Sequence, residues 1–164
     1  MYKILVVSDT HRKIGPLIDL IGQIKDLNHI FHLGDLVRDA EDIEAITNIP
    51  IDYVAGNCDF YESQLASKKV VLIKGKRFFL SHGHDLGVKH SLENLRALAR
   101  DEKYDGVFFG HTHTPFLEYE ADTLILNPGS LSEPRNSSSP SYAIIQIDDK
   151  ACIYATLSKF EKNF

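Results

Sequence analysis

Seven side chains able to bind metal ions stand at or just beyond the ends of short apolar runs: Asp9, His11, Asp35, Asn57, His82, His111 and His113. Asp9-Thr-His11, His82-Gly-His84 and His111-Thr-His113 each repeat a donor two positions on. In an extended segment, residues two apart project to the same side, so each pair can serve one ion. Asp35 follows Gly34, where the chain can turn sharply, and each oxygen of a carboxylate placed there can bind a different cation. Asn57 adds a neutral carbonyl oxygen. This mixture of oxygen and imidazole donors suits manganese first, with nickel, iron or zinc as alternatives, and disfavours a calcium-only site. Seven donors exceed the need of one tetrahedral ion and match two divalent ions that share Asp35, about 3.5–4 Å apart. Such a pair lowers the pKa of a water between them toward about 7 and neutralises charge on phosphoryl oxygens, which is the chemistry of phosphate-ester hydrolysis.

Each motif taken singly also has a plain reading. Asp9 can cap a helix with His11 on the surface, and Gly34-Asp35 and Gly56-Asn57 can be ordinary turns. His32 either orients Asp35 or simply packs. Cys58 reads as a small buried hydrophobe or a reactive thiol. The stretch Asn127-Pro128-Gly129-Ser130, with Arg135 nearby, is either a surface turn or a loop that holds phosphate through backbone N–H groups and a guanidinium. With only eight histidines in the chain, two alternating His pairs at two strand ends argue for a site rather than coincidence.

The elements that must position these groups follow from apolar patterning. Residues 3–8 are nearly all Ile, Leu and Val, which predicts a strand covered on both faces. Helical spacing predicts helices over 14–27, 41–47 and 92–103. Strands are predicted over 29–33, 51–55, 106–110, 115–120, 123–126, 142–147 and 152–157, with a hairpin of 69–73 and 76–81 about Lys74-Gly75. Asp148-Asp149-Lys150 marks a second hairpin turn. An α/β protein collects its functional groups along one edge of its sheets, and the loops over 58–67 and 131–140 are expected to shape the pocket.

The 164 residues allow one domain over 1–164. A net charge of −5 and a pI near 5.9 argue against broad nucleic-acid or acidic-lipid binding, yet bound metals can reverse the local sign for an anionic substrate. Two cysteines make no disulfide framework, which points to a reducing, cytoplasmic setting. The N-terminal apolar run is too short for a signal peptide or a membrane span.

The motif order Asp9-Thr-His11, Gly34-Asp35, Gly56-Asn57-Cys58-Asp59, His82-Gly-His84 and Gly110-His111-Thr-His113 resembles the calcineurin-like metallophosphoesterase family. The small size and the Asn127-Pro-Gly-Ser loop resemble its compact YfcE-type phosphodiesterase branch. The resemblance implies a four-layer α/β/β/α sandwich with two mixed sheets, and hydrolysis of a small phosphate ester by a hydroxide bridging two metals. It implies one metal on Asp9, His11, Asp35 and His113, and another on Asp35, Asn57, His82 and His111. Asp35, Asn57, Cys58 and Asp59 would form the catalytic motif, with Arg135 a phosphate contact. Two departures stand out. Arg12 replaces a common Gly, and either adds a phosphate contact or narrows the pocket. Cys58 replaces a common His held to protonate the leaving oxygen, so the enzyme is expected to depend on good leaving groups such as aryl esters. The competing reading is a protein-binding scaffold of the same fold, the retromer-subunit type. A scaffold tolerates loss of a ligand, whereas here every ligand position carries a suitable donor. A single structural metal fits poorly, because such sites are usually closed by four donors. Oligomeric state is left open, a homo-oligomer included.

Overall fold

The run Ile4-Leu5-Val6-Val7 is apolar at every position because both faces of its strand are covered. In the computed structural model, which describes residues 1–61 and 64–161, this strand is β1 (Tyr2–Val7). Ile4 and Val6 face one apolar cluster, and Leu5 and Val7 face another. After β1 come α1 (Gly15–Gln23), β2 (His29–His32), α2 (Val37–Ile46) and β3 (Ile51–Tyr53). The hairpin of β4 (Lys68–Ile73) and β5 (Lys76–Ser81) leads to α3 (Glu93–Glu102) and β6 (Gly106–Phe108). The chain ends in β7 (Pro115–Glu120), β8 (Thr123–Pro128), β9 (Ser141–Ile147) and β10 (Ile153–Lys159).

Two mixed five-stranded sheets result, in the orders β10-β9-β1-β2-β3 and β4-β5-β6-β8-β7. In the first, β1 runs parallel to β2 and β2 parallel to β3, with Val7 opposite His32. In the second, β6 runs parallel to both β5 and β8. The cluster containing Ile4, Phe31, Phe78, Leu80, Phe108 and Leu126 lies between the sheets. A second cluster joins Leu5 and Val7 to Leu17, Leu20 and Ile43 of α1 and α2. A third joins Phe79, Val107 and Ile125 to Leu95 and Ala99 of α3. The layers are therefore α/β/β/α, as the resemblance implies. Among the described residues no helix is long and apolar enough to cross a membrane.

Against the sequence expectation, two strands end two residues early, at Tyr53 and Phe108, β8 runs two further to Pro128, and two helix boundaries differ by four residues. The first helix stops at Gln23 instead of residue 27, with Ile24 already extended. Ile24 and Leu27 still pack on the second cluster, so the apolar spacing continued past the helix because it recorded burial. The second helix begins at Val37 instead of residue 41. The Val37 N–H donates to Asp59 Oδ1 at 2.9 Å, a cap supplied from 22 positions away that no local pattern reveals.

Candidate metal centre

The parallel strands β1, β2, β5 and β6 end at the same edge, and the loops that follow them converge. Asp9 and His11 follow β1, Asp35 follows β2, His82 follows β5, and His111 and His113 follow β6. Asn57 arrives on the turn after β3. The extended backbone expected for the alternating pairs is not what brings them together. Asp9, His11, His111 and His113 have φ of 56°, 46°, 66° and 56°, so each pair sits on a tight turn. Those turns are tied to their neighbours: Asp9 N donates to Gly34 O at 3.0 Å, and Gly110 N to His82 O at 3.0 Å.

Two glycines let the carboxylates in. A Cβ on Gly56 would stand 2.0 Å from Asp35 Oδ1, and one on Gly110 would stand 2.9 Å from Asp9 Oδ2. With hydrogen there, the Asp35 oxygen accepts the Cys58 N–H at 2.9 Å, and Asp9 Oδ2 accepts the His111 N–H at 3.0 Å and the Ser8 hydroxyl at 2.5 Å.

The donors that remain face one another. Asp9 Oδ1 lies 3.1 Å from His113 Nε2 and 3.9 Å from both His11 Nε2 and His82 Nε2. Asp35 Oδ2 lies 3.5 Å from His82 Nε2 and 3.9 Å from His11 Nε2. Asn57 Oδ1 is 3.1 Å from His82 Nε2. Asp9, His11 and His113 bring one donor atom each within 4.8 Å of one another, as do Asp9, Asp35 and His82, and His11, Asp35 and Cys58. His111 stands at the rim, its ring centroid 5.0 Å from that of His82.

These residues fit metal ions on a specific observation. Asp9 is fully buried, and its Oδ1 has no hydrogen-bond partner among the described residues. His113 Nδ1 points at the Glu133 carbonyl at 2.6 Å and His82 Nδ1 at the Leu33 carbonyl at 2.7 Å. A carbonyl can only accept, so each ring proton belongs on Nδ1 and each Nε2 turns a lone pair toward the carboxylates. Lone pairs on Asp9 Oδ1 and His113 Nε2 at contact distance call for a cation between or beside them.

Protonation agrees. Burial works against ionisation of Asp9, but His113, His82 and the Ser8 hydroxyl outweigh it and hold the carboxyl below the usual range. Burial likewise opposes ionised Asp35, and the His82 hydrogen bond and charge with the Cys58 N–H overcome it. Burial, then the His82 and Lys89 charges, push His111 down to about 4, so its imidazole is neutral. Burial and then Asp35 push the Cys58 thiol up to about 11. Cys58 therefore remains a protonated thiol beside the cluster, neither a hydrophobe buried in the core nor a ready thiolate.

Several residues hold the site without lining it. Asp59 accepts the N–H groups of Val37 and Gly56 at 2.9 and 2.7 Å, which fixes the turn carrying Asn57 and Cys58. His32, fully buried, does not merely pack: its Nδ1 accepts the Gly34 N–H at 3.3 Å, one residue before Asp35. Its Nε2 lies 3.0 Å from Thr10 Oγ1, whose hydroxyl donates to Asp39. Sequence reasoning missed Thr10 and Asp39, because nothing local marks two polar groups 29 positions apart as partners. Segment 127–130 is corrected outright. Asn127 and Ser130 are fully buried; Asn127 Nδ2 donates to the Gly110 carbonyl at 2.9 Å, and the Ser130 hydroxyl to the Asp9 carbonyl at 2.8 Å. It braces two ligand-bearing turns and is neither a surface turn nor a phosphate loop. The two arginines expected at the substrate part company. Arg12 lines a cavity of about 720 Å³ beside Cys58, and Arg135 lines another of about 480 Å³ walled by Phe109 and Phe116. Of the loop over 58–67 expected to shape the pocket, positions 62 and 63 lie outside the described residues.

Two stacked mixed sheets with a buried Asp/His cluster at their shared strand ends define a metallophosphoesterase architecture. The chain belongs to the calcineurin-like phosphoesterase superfamily, whose domain model matches residues 2–150. A probable metallophosphoesterase of Methanothermobacter thermautotrophicus is 31% identical over 87% of this chain and 84% of its own. Phosphodiesterase YfcE of Escherichia coli K12 is 36% identical over 58% of this chain and 52% of its own. Among solved structures, a conserved uncharacterized protein of Streptococcus pneumoniae TIGR4, described as a predicted phosphoesterase, superposes with a TM-score of 0.77 at 26% identity, covering 96% of this chain and 97% of that one. Vps29 of Chaetomium thermophilum shares the fold, with a TM-score of 0.73 at 18% identity over 96% and 94% of the two chains.

Proposed function

We propose that this chain is a phosphodiesterase that works with two divalent metal ions. The buried Asp9 oxygen left without a partner, facing the Nε2 atoms of rings whose Nδ1 atoms are anchored on backbone carbonyls, carries this reading. One ion would be held by Asp9, His11, Asp35 and His113, and the other by Asp35, Asn57, His82 and His111, with manganese the first candidate. When bound, the ions supply a water acidic enough to attack near neutral pH, and positive charge for the phosphoryl oxygens.

The chain's own residues do the rest. Asp35 presents Oδ2 to the cluster while Oδ1 is pinned by the Cys58 N–H, so its orientation is set before anything binds. Asp59 keeps the Asn57 carbonyl oxygen aimed at the His82 side through the Gly56 N–H. Cys58, as a protonated thiol, is a weak acid and gives a departing alkoxide little help. Aryl phosphodiesters are therefore the expected good substrates. Arg12 follows His11 in the chain and lines the cavity that Cys58 shares, where its guanidinium would meet an anionic substrate.

A scaffold reading of the Vps29 kind draws support only from the fold. It gives no reason to keep two ionised carboxylates together in a buried cluster. A screen of metals against bis(4-nitrophenyl) phosphate and 4-nitrophenyl phosphate, with metal content measured on the same samples, tests the proposal. Diester turnover with about two metals per chain is the expected result. Binding of one metal without turnover would return the scaffold to first place.

A further inference from the structure

The six arginines divide into two groups. Arg77, Arg96 and Arg100 are held by the Glu102 carbonyl, Glu118 and Glu120. The guanidinium groups of Arg12, Arg38 and Arg135 have no hydrogen bond or ion pair among the described residues, and each lines a cavity. Two of these three share the cavity of about 720 Å³.

That cavity adjoins the metal centre through Cys58, whose Sγ lies within 4.8 Å of donor atoms of His11 and Asp35. Arg12, Leu36 and Cys58 in its wall directly follow His11, Asp35 and Asn57, three of the proposed ligands. Its far wall carries Arg38 on α2 and the rings of Phe60 and Tyr61, which are 76% and 99% exposed. Phe31, Phe78, Phe79, Phe108 and Phe109 are buried, so two neighbouring exposed rings stand out, and flat rings beside guanidinium groups can form a stacking platform. Of the three carboxylates in the same wall, Asp39 is committed to the Thr10 hydroxyl and the Arg12 N–H and Asp59 to the Val37 and Gly56 N–H groups, and Asp42 is exposed to solvent. Neither this cavity nor the one with Arg135 is lined by a proposed metal ligand itself, and the one with Arg135 carries a single free guanidinium.

Given the phosphodiesterase reading, on which this rests, we infer that the cavity takes a nucleotide joined through a phosphoanhydride. One phosphate would lie at the metal centre, the next against Arg12 and Arg38, and the base over Phe60 and Tyr61. The chemistry is self-consistent. A leaving phosphate departs as an anion onto guanidinium groups and needs no proton from a neighbouring acid. Hydrolysis of diadenosine diphosphate would consume one water. The water oxygen bonds to the phosphorus at the centre, the bond from that phosphorus to the bridging oxygen breaks, and the bridging oxygen leaves with the second phosphate. Two molecules of AMP form, and the water protons pass to solvent.

The experiment pairs kinetics with binding. Diadenosine diphosphate and bis(4-nitrophenyl) phosphate are compared on the manganese-loaded protein, and ADP is titrated into the EDTA-treated protein by calorimetry. The expected result is turnover of the anhydride and binding of ADP, with Arg38→Ala weakening ADP binding about tenfold and lowering the anhydride-to-aryl ratio of kcat/KM by a similar factor. Phe60→Ala is expected to weaken ADP binding severalfold. Turnover of the aryl diester with no turnover of the anhydride, or with both Arg38→Ala and Phe60→Ala silent, would overturn the inference and leave the phosphodiesterase reading standing. If neither substrate is hydrolysed, the phosphodiesterase reading falls. Arg38-dependent ADP binding would then still support the nucleotide site, and its absence would remove that too.

Discussion

Two clusters of the same residue types meet opposite fates in this molecule. At the strand ends, Asp9 and Asp35 face His11, His82 and His113, and among the described residues neither carboxylate has a Lys or Arg partner. On the flank, where the edge strands β3 and β4 approach, Asp52 accepts from His29 Nε2 at 2.9 Å and pairs with Lys69 Nζ. The Tyr2 hydroxyl lies 3.5 Å from His29 Nδ1 and completes that group. The flank cluster carries its own cation and is satisfied by the chain alone. The strand-end cluster is more deeply buried, holds two carboxylates, and leaves Asp9 Oδ1 with no hydrogen bond. An Asp/His cluster thus signals a site when its charge is not balanced from within; the residue types alone do not separate the two cases.

The comparison breaks most sharply at Asp35. Asp35→Ala is expected to lower kcat for an aryl phosphodiester by more than about 10³-fold and to reduce metal content at both positions. In EDTA the same variant should melt no lower than wild type, because removing one of two mutually repelling carboxylates relieves the cluster. A substantially lower melting temperature in EDTA would mean that Asp35 serves the fold, as Asp52 does.

Metal addition is the next largest effect. Adding manganese at about 100 times its dissociation constant to the EDTA-treated protein should stabilise it by about 2.7 kcal/mol for each ion bound, a rise of about 5–10 °C in Tm per ion for a chain of this size. Asp9→Asn should remove most of that rise, whereas a substitution at Asp52 should leave it intact. Differential scanning fluorimetry on the three proteins checks this directly.

Asp59 sharpens the contrast between holding a site and being part of it. Both its oxygens accept backbone N–H groups, and it touches no imidazole of the cluster. Asp59→Asn keeps the shape but trades one acceptor for a donor, so metal affinity and kcat are expected to fall about 10- to 100-fold without loss of fold. Metal titration followed by steady-state kinetics separates the two.

The donors were legible in the sequence because the chemistry needs particular residue types, and because an apolar run followed by Asp, Asn or His is a local pattern. The four layers were not readable from periodicity; motif order implied them. What stayed hidden is what depends on distant partners. The start of α2 is set by Asp59, and the role of His32 by Thr10 and Asp39. The buried brace at 127–130 looks in sequence like any Pro-Gly turn, and only its packing against Gly110 and Asp9 shows otherwise. The left-handed turns at Asp9 and His111 were hidden for the same reason: residues other than glycine adopt positive φ only where surrounding contacts hold them there.

The smallest effect lies on the flank. The His29 hydrogen bond and then Lys69 hold the Asp52 carboxyl below its usual range, against the pull of burial. A carboxyl whose folded pKa is depressed stabilises the protein above its unfolded pKa, and that stability is lost as pH falls through the folded value. Asp52→Asn should therefore lower Tm by about 2–4 °C at pH 7 for each kcal/mol removed, with about 1 kcal/mol expected for a pair this exposed. The gap between variant and wild type should narrow once pH drops below the ordinary carboxylate range, while diesterase activity at pH 7 stays within about twofold. Thermal melts of both proteins in EDTA from pH 7 down to pH 3 measure it. A gap that widened toward low pH would mean that the fold favours protonated Asp52, and that His29 and Lys69 do not balance its charge.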